Sequence, residues 1–211
     1  MHNSVPKQFI ELSGKPIIMH TIEAFYKVLP ESEIIVVLPE AYFNFWEQLI
    51  KKYRFNISHI LQKGGDTRFE SVKNALFLIK EEGLVAVHDA VRPFVSKGVI
   101  EMAFKTAQKL GIAIPVVSVK DSIRIVTKTE NRTQKREEVQ AVQTPQCFKT
   151  GILLEAYSQN YNMMFTDDAS VVEAMGFKIN LIDGNDENIK ITTPIDLLVA
   201  ESIMKLEKRD K

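Results

Sequence analysis

The chain alternates short aliphatic runs with longer stretches in which apolar residues recur at helical spacing. Near-continuous aliphatic runs are typical of strands buried on both faces. They predict strands at 33–38, 58–61, 84–88 and 112–117. The stretches between them predict helices at 16–29, 41–53, 68–81 and 96–110. This alternation predicts an α/β fold with a mostly parallel sheet flanked by helices.

The alternation stops between residues 120 and 143. Residues 122–127 and 138–143 each have the composition of a strand, and only the polar, charge-dense segment 129–136 joins them. Without a helix between them, these segments predict a projecting β-arm. An exposed arm buries little of its own surface, so we expect it to dock on a second copy and form a homodimer. A solvated hairpin is the alternative.

The remaining residues complete a single domain spanning 1–211. Two helices at 149–159 and 166–175 are followed by a strand at 178–182 and a strand-like segment at 188–192. A closing helix begins at Pro194, with Thr193 as its expected N-cap. The chain contains neither internal repeats nor a low-complexity linker.

Composition removes several classes of function. Lys plus Arg (27) equals Asp plus Glu (27), so bulk charge draws the protein toward neither nucleic acid nor an anionic membrane. A single cysteine, Cys147, excludes an internal disulfide and suits a reducing compartment. Because the chain has neither a membrane-length apolar run nor a signal peptide, we expect a cytoplasmic protein. Dinucleotide and P-loop fingerprints and Cys/His metal clusters are also missing from the sequence.

Two short motifs place charged side chains at bends beside predicted strand or helix ends. These are Pro6-Lys7-Gln8 and the segment from His88 to Pro93. Open α/β sheets bind ligands at such bends. Asp89 could contact a metal ion or a sugar hydroxyl, and Arg92 could bind a phosphate with its two-pronged guanidinium. An Asp89–Arg92 ion pair that stabilises the loop is the structural alternative, and we expect His88 to pack at the strand end.

A glycine pair and a lysine add to this candidate site. The segment from Gly64 to Arg68 ends a strand and begins a helix, which allows the backbone to approach a ligand closely. Asp66 or Thr67 could instead cap the helix. Lys190 lies in an apolar, strand-like setting, which is unfavourable unless its ammonium reaches water or an anion.

Seven short motifs follow one another along the chain: PKQF (6–9), GGDTRFESV (64–72), HDAVRP (88–93), VKDSIR (119–124), TPQ (144–146), TDDAS (166–170) and NIKIT (188–192). In this order they resemble the 2-C-methyl-D-erythritol 4-phosphate cytidylyltransferase family over essentially the whole chain. The resemblance implies a Rossmann-like nucleotidyltransferase fold and a homodimer whose β-arm completes the neighbouring active site. It implies transfer of CMP from CTP to the sugar-alcohol phosphate, with release of pyrophosphate and with Mg²⁺ as cofactor.

The resemblance also assigns roles to individual residues. It implies that Lys7 and Lys190 are catalytic, and that Mg²⁺ is held mainly through the CTP phosphates. The implied nucleotide-binding residues are Gly65, Asp66, Ser71 and Ala90. The implied residues around the sugar-alcohol phosphate are Asp89, Arg92, Thr144 and Lys190, together with Ser122 and Arg136 from the arm of the partner.

The sequence departs from the family pattern at its start. In the family, PKQ follows a first strand and a glycine-rich loop, whereas here it follows only Met1-His2-Asn3-Ser4 and Val5. We therefore expect this chain to lack that strand and loop and to bind CTP poorly, which leaves an inactive nucleotide-fold module as one alternative. The other is ribitol-5-phosphate cytidylyltransferase, which shares PKQ, HDAVRP, TPQ and NIK. VKDSIR and TDDAS favour the methylerythritol enzyme.

Overall fold

The computed structural model describes residues 5–209, so Met1-His2-Asn3-Ser4 lie outside the described residues. The helices are α1 (Ile17–Val28), α2 (Phe43–Tyr53), α3 (Arg68–Leu76), α4 (Lys97–Leu110), α5 (Thr150–Ala156), α6 (Asp168–Glu173) and α7 (Pro194–Arg209). The strands are β1 (Glu11–Leu12), β2 (Lys15–Pro16), β3 (Ile35–Leu38), β4 (Ile60–Lys63), β5 (Leu84–Val87), β6 (Ile112–Ser118), β7 (Ile123–Val126), β8 (Asn131–Gln134), β9 (Gln140–Val142), β10 (Gln146–Lys149) and β11 (Leu181–Asp183).

Local sequence signals explain where several helices begin and end. Helix α4 starts after Ser96, whose hydroxyl accepts the Val99 N–H, and it ends at Gly111, where φ is 90°. A positive φ of this size is free of steric cost only for glycine. Helix α3 begins with a capping box in which Thr67 and Glu70 bond each other's backbone N–H groups. The capping residue is therefore Thr67 rather than Asp66.

The main sheet has the order β11-β6-β10-β5, and β9 also pairs with β6. Strand β11 runs parallel to β6, whereas β10 runs antiparallel to both β5 and β6. The α/β fold is confirmed, but the sheet is mixed rather than mostly parallel. The physical reason is that β10 follows the arm without a crossover helix, so it enters the sheet against the direction of its neighbours.

A gap separates this sheet from the parallel pair β3–β4. Within residues 5–209, β3 pairs only with β4 and β5 pairs only with β10. A cavity of about 800 Å³ lies between them, lined by both strands and by helices α1 and α3. One edge of each strand is therefore without a strand partner in the described part of the chain.

The predicted arm contains a hairpin, but its pairing differs from the prediction. Strand β7 pairs with β8, which lies inside the segment expected to be a polar connection, and β9 pairs with β6 instead. A tight turn explains the difference, because the Thr127 N–H and hydroxyl both bond the Glu130 carbonyl. That turn closes the hairpin early and leaves residues 140–142 free to join the main sheet.

Residues 188–192, predicted to be strand-like, form no strand. Ile191 is buried among apolar side chains of α1 and α7, and its N–H bonds the Val91 carbonyl. The alternating apolar residues therefore reflect packing of a loop. This loop carries Lys190 alongside the segment that follows β5.

The apolar core includes a cluster around Trp46 of α2, which is fully buried against α1 and β3. Its indole N–H donates to His59 Nε2 at 3.0 Å. A second cluster surrounds Phe148 in the main sheet. Cys147 is also fully buried, and burial raises the pKa of its thiol, as expected for a packed residue rather than a nucleophile. No helix in the described part of the chain has the length and apolarity needed to cross a bilayer.

Candidate active site

The segment after β5 forms a charged turn at the edge of the main sheet. The Arg92 N–H bonds the Asp89 carbonyl at 3.0 Å, which closes the turn. The Arg92 side chain folds back, with Nε 3.2 Å from Asp89 Oδ2 and one terminal nitrogen donating to the Asn188 carbonyl at 2.7 Å. The Asp89–Arg92 ion pair considered from the sequence is therefore present. Among residues 5–209, the second terminal nitrogen of Arg92 makes no hydrogen bond.

Lys190 joins the same carboxylate from a distant part of the sequence. Its Nζ lies 3.0 Å from Asp89 Oδ2. Burial would raise the pKa of Asp89, but the charges of Lys190 and Arg92 outweigh this effect and lower the pKa. Asp89 is therefore a carboxylate at neutral pH. Asp89, Arg92 and Lys190 are called the cationic cluster below.

The cationic cluster has the charge and the free donors needed to bind an anion. Two cations share one carboxylate, which leaves one positive charge uncompensated within the group. The Lys190 side chain is 47% exposed, whereas that of Asp89 is 17% exposed, so the ammonium is the accessible part. An ammonium has three donors, and only one is directed at Asp89. Such a group suits a phosphate.

Thr144 is also brought to this turn, although only 5% of its surface is exposed. Its Oγ1 accepts the Asp89 N–H at 3.1 Å and contacts His88 Nδ1 at 3.0 Å. The side-chain amide of Asn188 donates to the Thr144 carbonyl at 2.9 Å. Three segments of the chain are thus held together by buried and half-buried hydrogen bonds.

The glycine pair forms a tight loop between β4 and α3. The Gly65 N–H donates to Ser71 Oγ at 3.1 Å, and a Cβ at Gly65 would lie 2.3 Å from Glu70 Cβ. Only glycine fits this position without moving α3. Asp66 is exposed at the tip of the loop. Ser71 and Ala90 line the 800 Å³ cavity together with Asp89, whereas Gly65, Asp66, Arg92 and Lys190 are not part of its lining.

Lys7 lies on a short 3₁₀ turn, Lys7–Phe9, near the start of the described residues. Phe9 is buried and anchors the turn in the Trp46 cluster, which Ala90 also contacts. The Lys7 side chain is exposed. It therefore lies on the same part of the core as Ala90, but no hydrogen bond or ion pair joins it to the cationic cluster.

Comparison with known proteins gives the family of this chain. The family model for 2-C-methyl-D-erythritol 4-phosphate cytidylyltransferase matches residues 1–206. The chain belongs to this family. The enzyme of that name from Phocaeicola vulgatus is 49% identical over 204 residues, covering 97% of this chain and 93% of the relative. The enzyme of the same name from Bacteroides thetaiotaomicron is 47% identical with the same coverage.

Solved structures agree with this assignment. The crystal structure of the Thermus thermophilus 2-C-methyl-D-erythritol 4-phosphate cytidylyltransferase matches with a TM-score of 0.80 at 32% identity, covering 95% of this chain and 94% of that one. The Francisella tularensis enzyme of the same name matches with a TM-score of 0.81 at 32% identity, covering 94% and 93%. The Rossmann-like nucleotidyltransferase fold expected from the sequence is confirmed.

Two residues that the family resemblance assigns to the arm do not reach the cationic cluster of their own chain. Ser122 and Arg136 are both exposed. Arg136 donates to the Lys120 carbonyl at 3.2 Å and lies 3.3 Å from a Glu137 carboxylate oxygen. These contacts keep Arg136 at the base of the arm.

Sequence reasoning missed two polar features of this cytidylyltransferase fold, one a buried carboxylate with its partners and the other a buried amide. Arg68, on α3, binds Asp168 through both terminal nitrogens at 3.0 and 2.5 Å, and Tyr157 donates to the same carboxylate at 2.6 Å. Asn188 is fully buried, and its Oδ1 has no hydrogen-bond partner among the described residues. Both residues lie inside the quoted motifs GGDTRFESV and NIKIT. Their position inside these motifs was the only available signal.

Proposed function

We propose that this protein transfers the cytidylyl group of CTP to 2-C-methyl-D-erythritol 4-phosphate and releases pyrophosphate. We also propose that it acts in the cytoplasm. The observation that carries the proposal is the convergence of Arg92 and Lys190 on Asp89, at a cavity also lined by Ser71 and Ala90. The proposal is supported by one cavity that is lined both by Asp89, which the two cations contact, and by Ser71, which bonds the glycine loop.

The reaction is an in-line displacement at the α-phosphorus of CTP. An oxygen of the methylerythritol 4-phosphate attacks, the new P–O bond forms, and the bond to pyrophosphate breaks. Because both reactants are anions, the protein must hold them together and offset their charge. Arg92 and Lys190 hold the attacking phosphate, while Lys7, exposed on its turn, offsets charge on the triphosphate.

We propose that Mg²⁺ enters as part of the CTP substrate. Within residues 5–209, no three His, Cys, Asp or Glu side chains are arranged to hold a metal ion. The Asp89 carboxylate is already engaged by two cations. The described residues therefore do not form a metal cage of their own. The phosphate oxygens of CTP provide the hard ligands that Mg²⁺ prefers.

We also propose that the protein is a homodimer in which the arm reaches the neighbouring site. Val126 on the arm is 73% exposed and Ile125 is 39% exposed, so the hairpin offers apolar surface to a partner. In this arrangement Ser122 and Arg136 contact the substrate held by the other subunit. Sedimentation analysis should give twice the chain mass.

Mixing two impaired variants tests this shared site. Arg136→Ala and Lys190→Ala homodimers each lack one half of every site, whereas a heterodimer contains one intact site. After subunit exchange in an equal mixture, about a quarter of all sites should be intact. Recovery of activity on mixing supports the proposal. A mixture no more active than its components contradicts it.

The substrate is tested by measuring pyrophosphate release. The protein is incubated with CTP and Mg²⁺ and with either 2-C-methyl-D-erythritol 4-phosphate or ribitol 5-phosphate. Faster turnover of the methylerythritol substrate supports the proposal. Faster turnover of ribitol 5-phosphate would assign the protein to the alternative reaction.

The gap between β3 and β5 favours a second candidate function, a nucleotide-fold module without turnover. Within residues 5–209, β3 and β5 each have an edge without a strand partner, and a cavity that lacks a strand at this position would bind CTP less tightly. Calorimetric titration with CTP and Mg²⁺ separates the two candidates. Saturable binding accompanied by pyrophosphate release excludes the module, whereas the absence of both excludes the transferase.

A further inference from the structure

The hydrogen bonds of His88 determine which of its ring nitrogens carries the proton. His88 Nε2 lies 2.9 Å from the Arg92 carbonyl oxygen. A carbonyl oxygen can only accept, so Nε2 carries the hydrogen and donates. Burial lowers the pKa of His88 to about 4, so the ring is neutral at pH 7. In a neutral imidazole protonated at Nε2, Nδ1 is an acceptor.

This tautomer determines the direction of the next hydrogen bond. His88 Nδ1 lies 3.0 Å from Thr144 Oγ1, so the Thr144 hydroxyl donates its hydrogen to the imidazole. The same oxygen accepts the Asp89 N–H at 3.1 Å. A hydroxyl has one hydrogen and two lone pairs. Thr144 therefore retains one lone pair, with which it can accept from a substrate hydroxyl but cannot donate to a phosphate.

We propose that His88 is a positioning residue that holds the Thr144 hydroxyl as an acceptor for the Asp89 N–H, and so fixes the turn that carries the cationic cluster. The chain of bonds runs from the Arg92 carbonyl through the imidazole and the Thr144 hydroxyl to the Asp89 N–H. Asp89, at the end of this series of hydrogen bonds, is also the residue whose carboxylate contacts Lys190. Only the expected effect of His88 on catalysis rests on the proposed transferase function; the hydrogen-bond arrangement is independent of it.

The surroundings of His88 favour a fixed ring. The Phe25 ring on α1 packs edge-on against it, with ring centroids 4.8 Å apart. The charged side chains that face it are Asp89, which favours protonation, and Arg92, which opposes it. Both belong to the turn that the imidazole holds. Protonation of Nδ1 would turn this acceptor into a donor and reverse the bond, so that the Thr144 hydroxyl hydrogen would lose its acceptor.

The tautomer can be read directly by NMR of protein labelled with ¹⁵N-histidine. Two-bond ¹H–¹⁵N correlation at pH 7 distinguishes a protonated Nε2 from a protonated Nδ1, and loss of signals in His88→Asn assigns the residue. We expect the neutral Nε2–H form. A protonated Nδ1, or a doubly protonated ring at pH 7, overturns the proposal. This measurement requires neither substrate nor activity, so it remains decisive if the transferase function fails.

Two variants of His88 separate its two hydrogen bonds. Asn reaches the Nδ1 position and can accept the Thr144 hydroxyl, whereas Gln reaches the Nε2 position and keeps only the donor to the Arg92 carbonyl. We expect His88→Gln to lower kcat/KM for the sugar-alcohol phosphate about tenfold, and His88→Asn to lower it less. The KM for CTP should be unchanged in both. Equal losses in the two variants, or a raised KM for CTP, contradict the proposal.

The coupling to Thr144 provides the matched control. Thr144→Val removes the hydroxyl at constant shape, and Thr144→Ser keeps it and should retain more activity. Because both residues act through one hydrogen bond, His88→Gln combined with Thr144→Val should cost little more than Thr144→Val alone. Additive losses in the double variant would show that His88 acts independently of Thr144, which overturns the proposal.

Discussion

Lys190 should be needed for activity and nearly dispensable for stability. Its ion pair with Asp89 is half exposed, and in Lys190→Ala the carboxylate keeps Arg92 at 3.2 Å. Exposed ion pairs contribute about 0–1 kcal/mol, so the midpoint of thermal unfolding should fall by less than about 4 °C. The lost contact with the substrate phosphate is charge-assisted and contributes about 1.5–3 kcal/mol. The expected loss in kcat/KM is therefore about 10- to 150-fold.

The assay is pyrophosphate release at varied sugar-alcohol phosphate, with thermal unfolding measured on the same preparations. Lys97→Ala is the matched control, because Lys97 also pairs with a carboxylate, that of Glu101 at 3.6 Å, and its side chain is 74% exposed. The control should keep its rate within about threefold of the unaltered protein. If Lys190→Ala also stayed within that range, the assignment of the cationic cluster to the substrate phosphate would be wrong.

Three further predictions concern stability and nucleotide binding. Asp168→Ala should lower the free energy of unfolding by about 3 kcal/mol, because it leaves Arg68 without its partner; thermal unfolding measures this, and a change below about 0.5 kcal/mol would contradict it. Gly65→Ala should raise the KM for CTP because the added Cβ collides with helix α3. In the control Gly176→Ala the added Cβ has no atom within 4 Å, so this variant should change stability alone. Equal KM values for CTP in the two variants would refute this prediction. Burial lowers the pKa of His88 from about 6.5 to about 4. Its contribution to stability, up to about 3 kcal/mol, is therefore complete above pH 6.5 and is lost as the pH falls toward 4. The free energy of chemical unfolding should depend less on pH in His88→Asn over this range.

Signals that act within a few residues made parts of the fold predictable. Ser96 and Gly111 bracket α4 because capping and a positive φ depend on neighbouring residues alone. The arm was less predictable, because strand pairing joins distant segments and exposed strands carry no apolar alternation. Asn131–Gln134 is polar throughout, yet it pairs with β7. Only the tight turn beginning at Thr127 distinguishes it from a loop.

In the candidate site, too, contacts between residues close in sequence were predictable and contacts between distant residues were not. Asp89 and Arg92 are close in sequence, so their ion pair was foreseeable as one of two alternatives. The meeting of Lys190 with Asp89 is a property of the fold, and only the family resemblance placed them together before the structure was known. The role of His88 was not foreseeable, because a histidine at a strand end gives no indication of its tautomer until both of its partners are located.

The fluorescence of Trp46 reports on only one part of this protein. It is the single tryptophan of the chain, and it lies on α2, packed against α1 and β3 on one side of the gap in the sheet. The Phe148 cluster on the other side contains only phenylalanine and tyrosine as aromatic residues. Indole emission therefore follows the loss of one half of the molecule, while circular dichroism follows both. Coincident melting curves would show that the two halves unfold as one cooperative unit, and separate curves that each has its own transition.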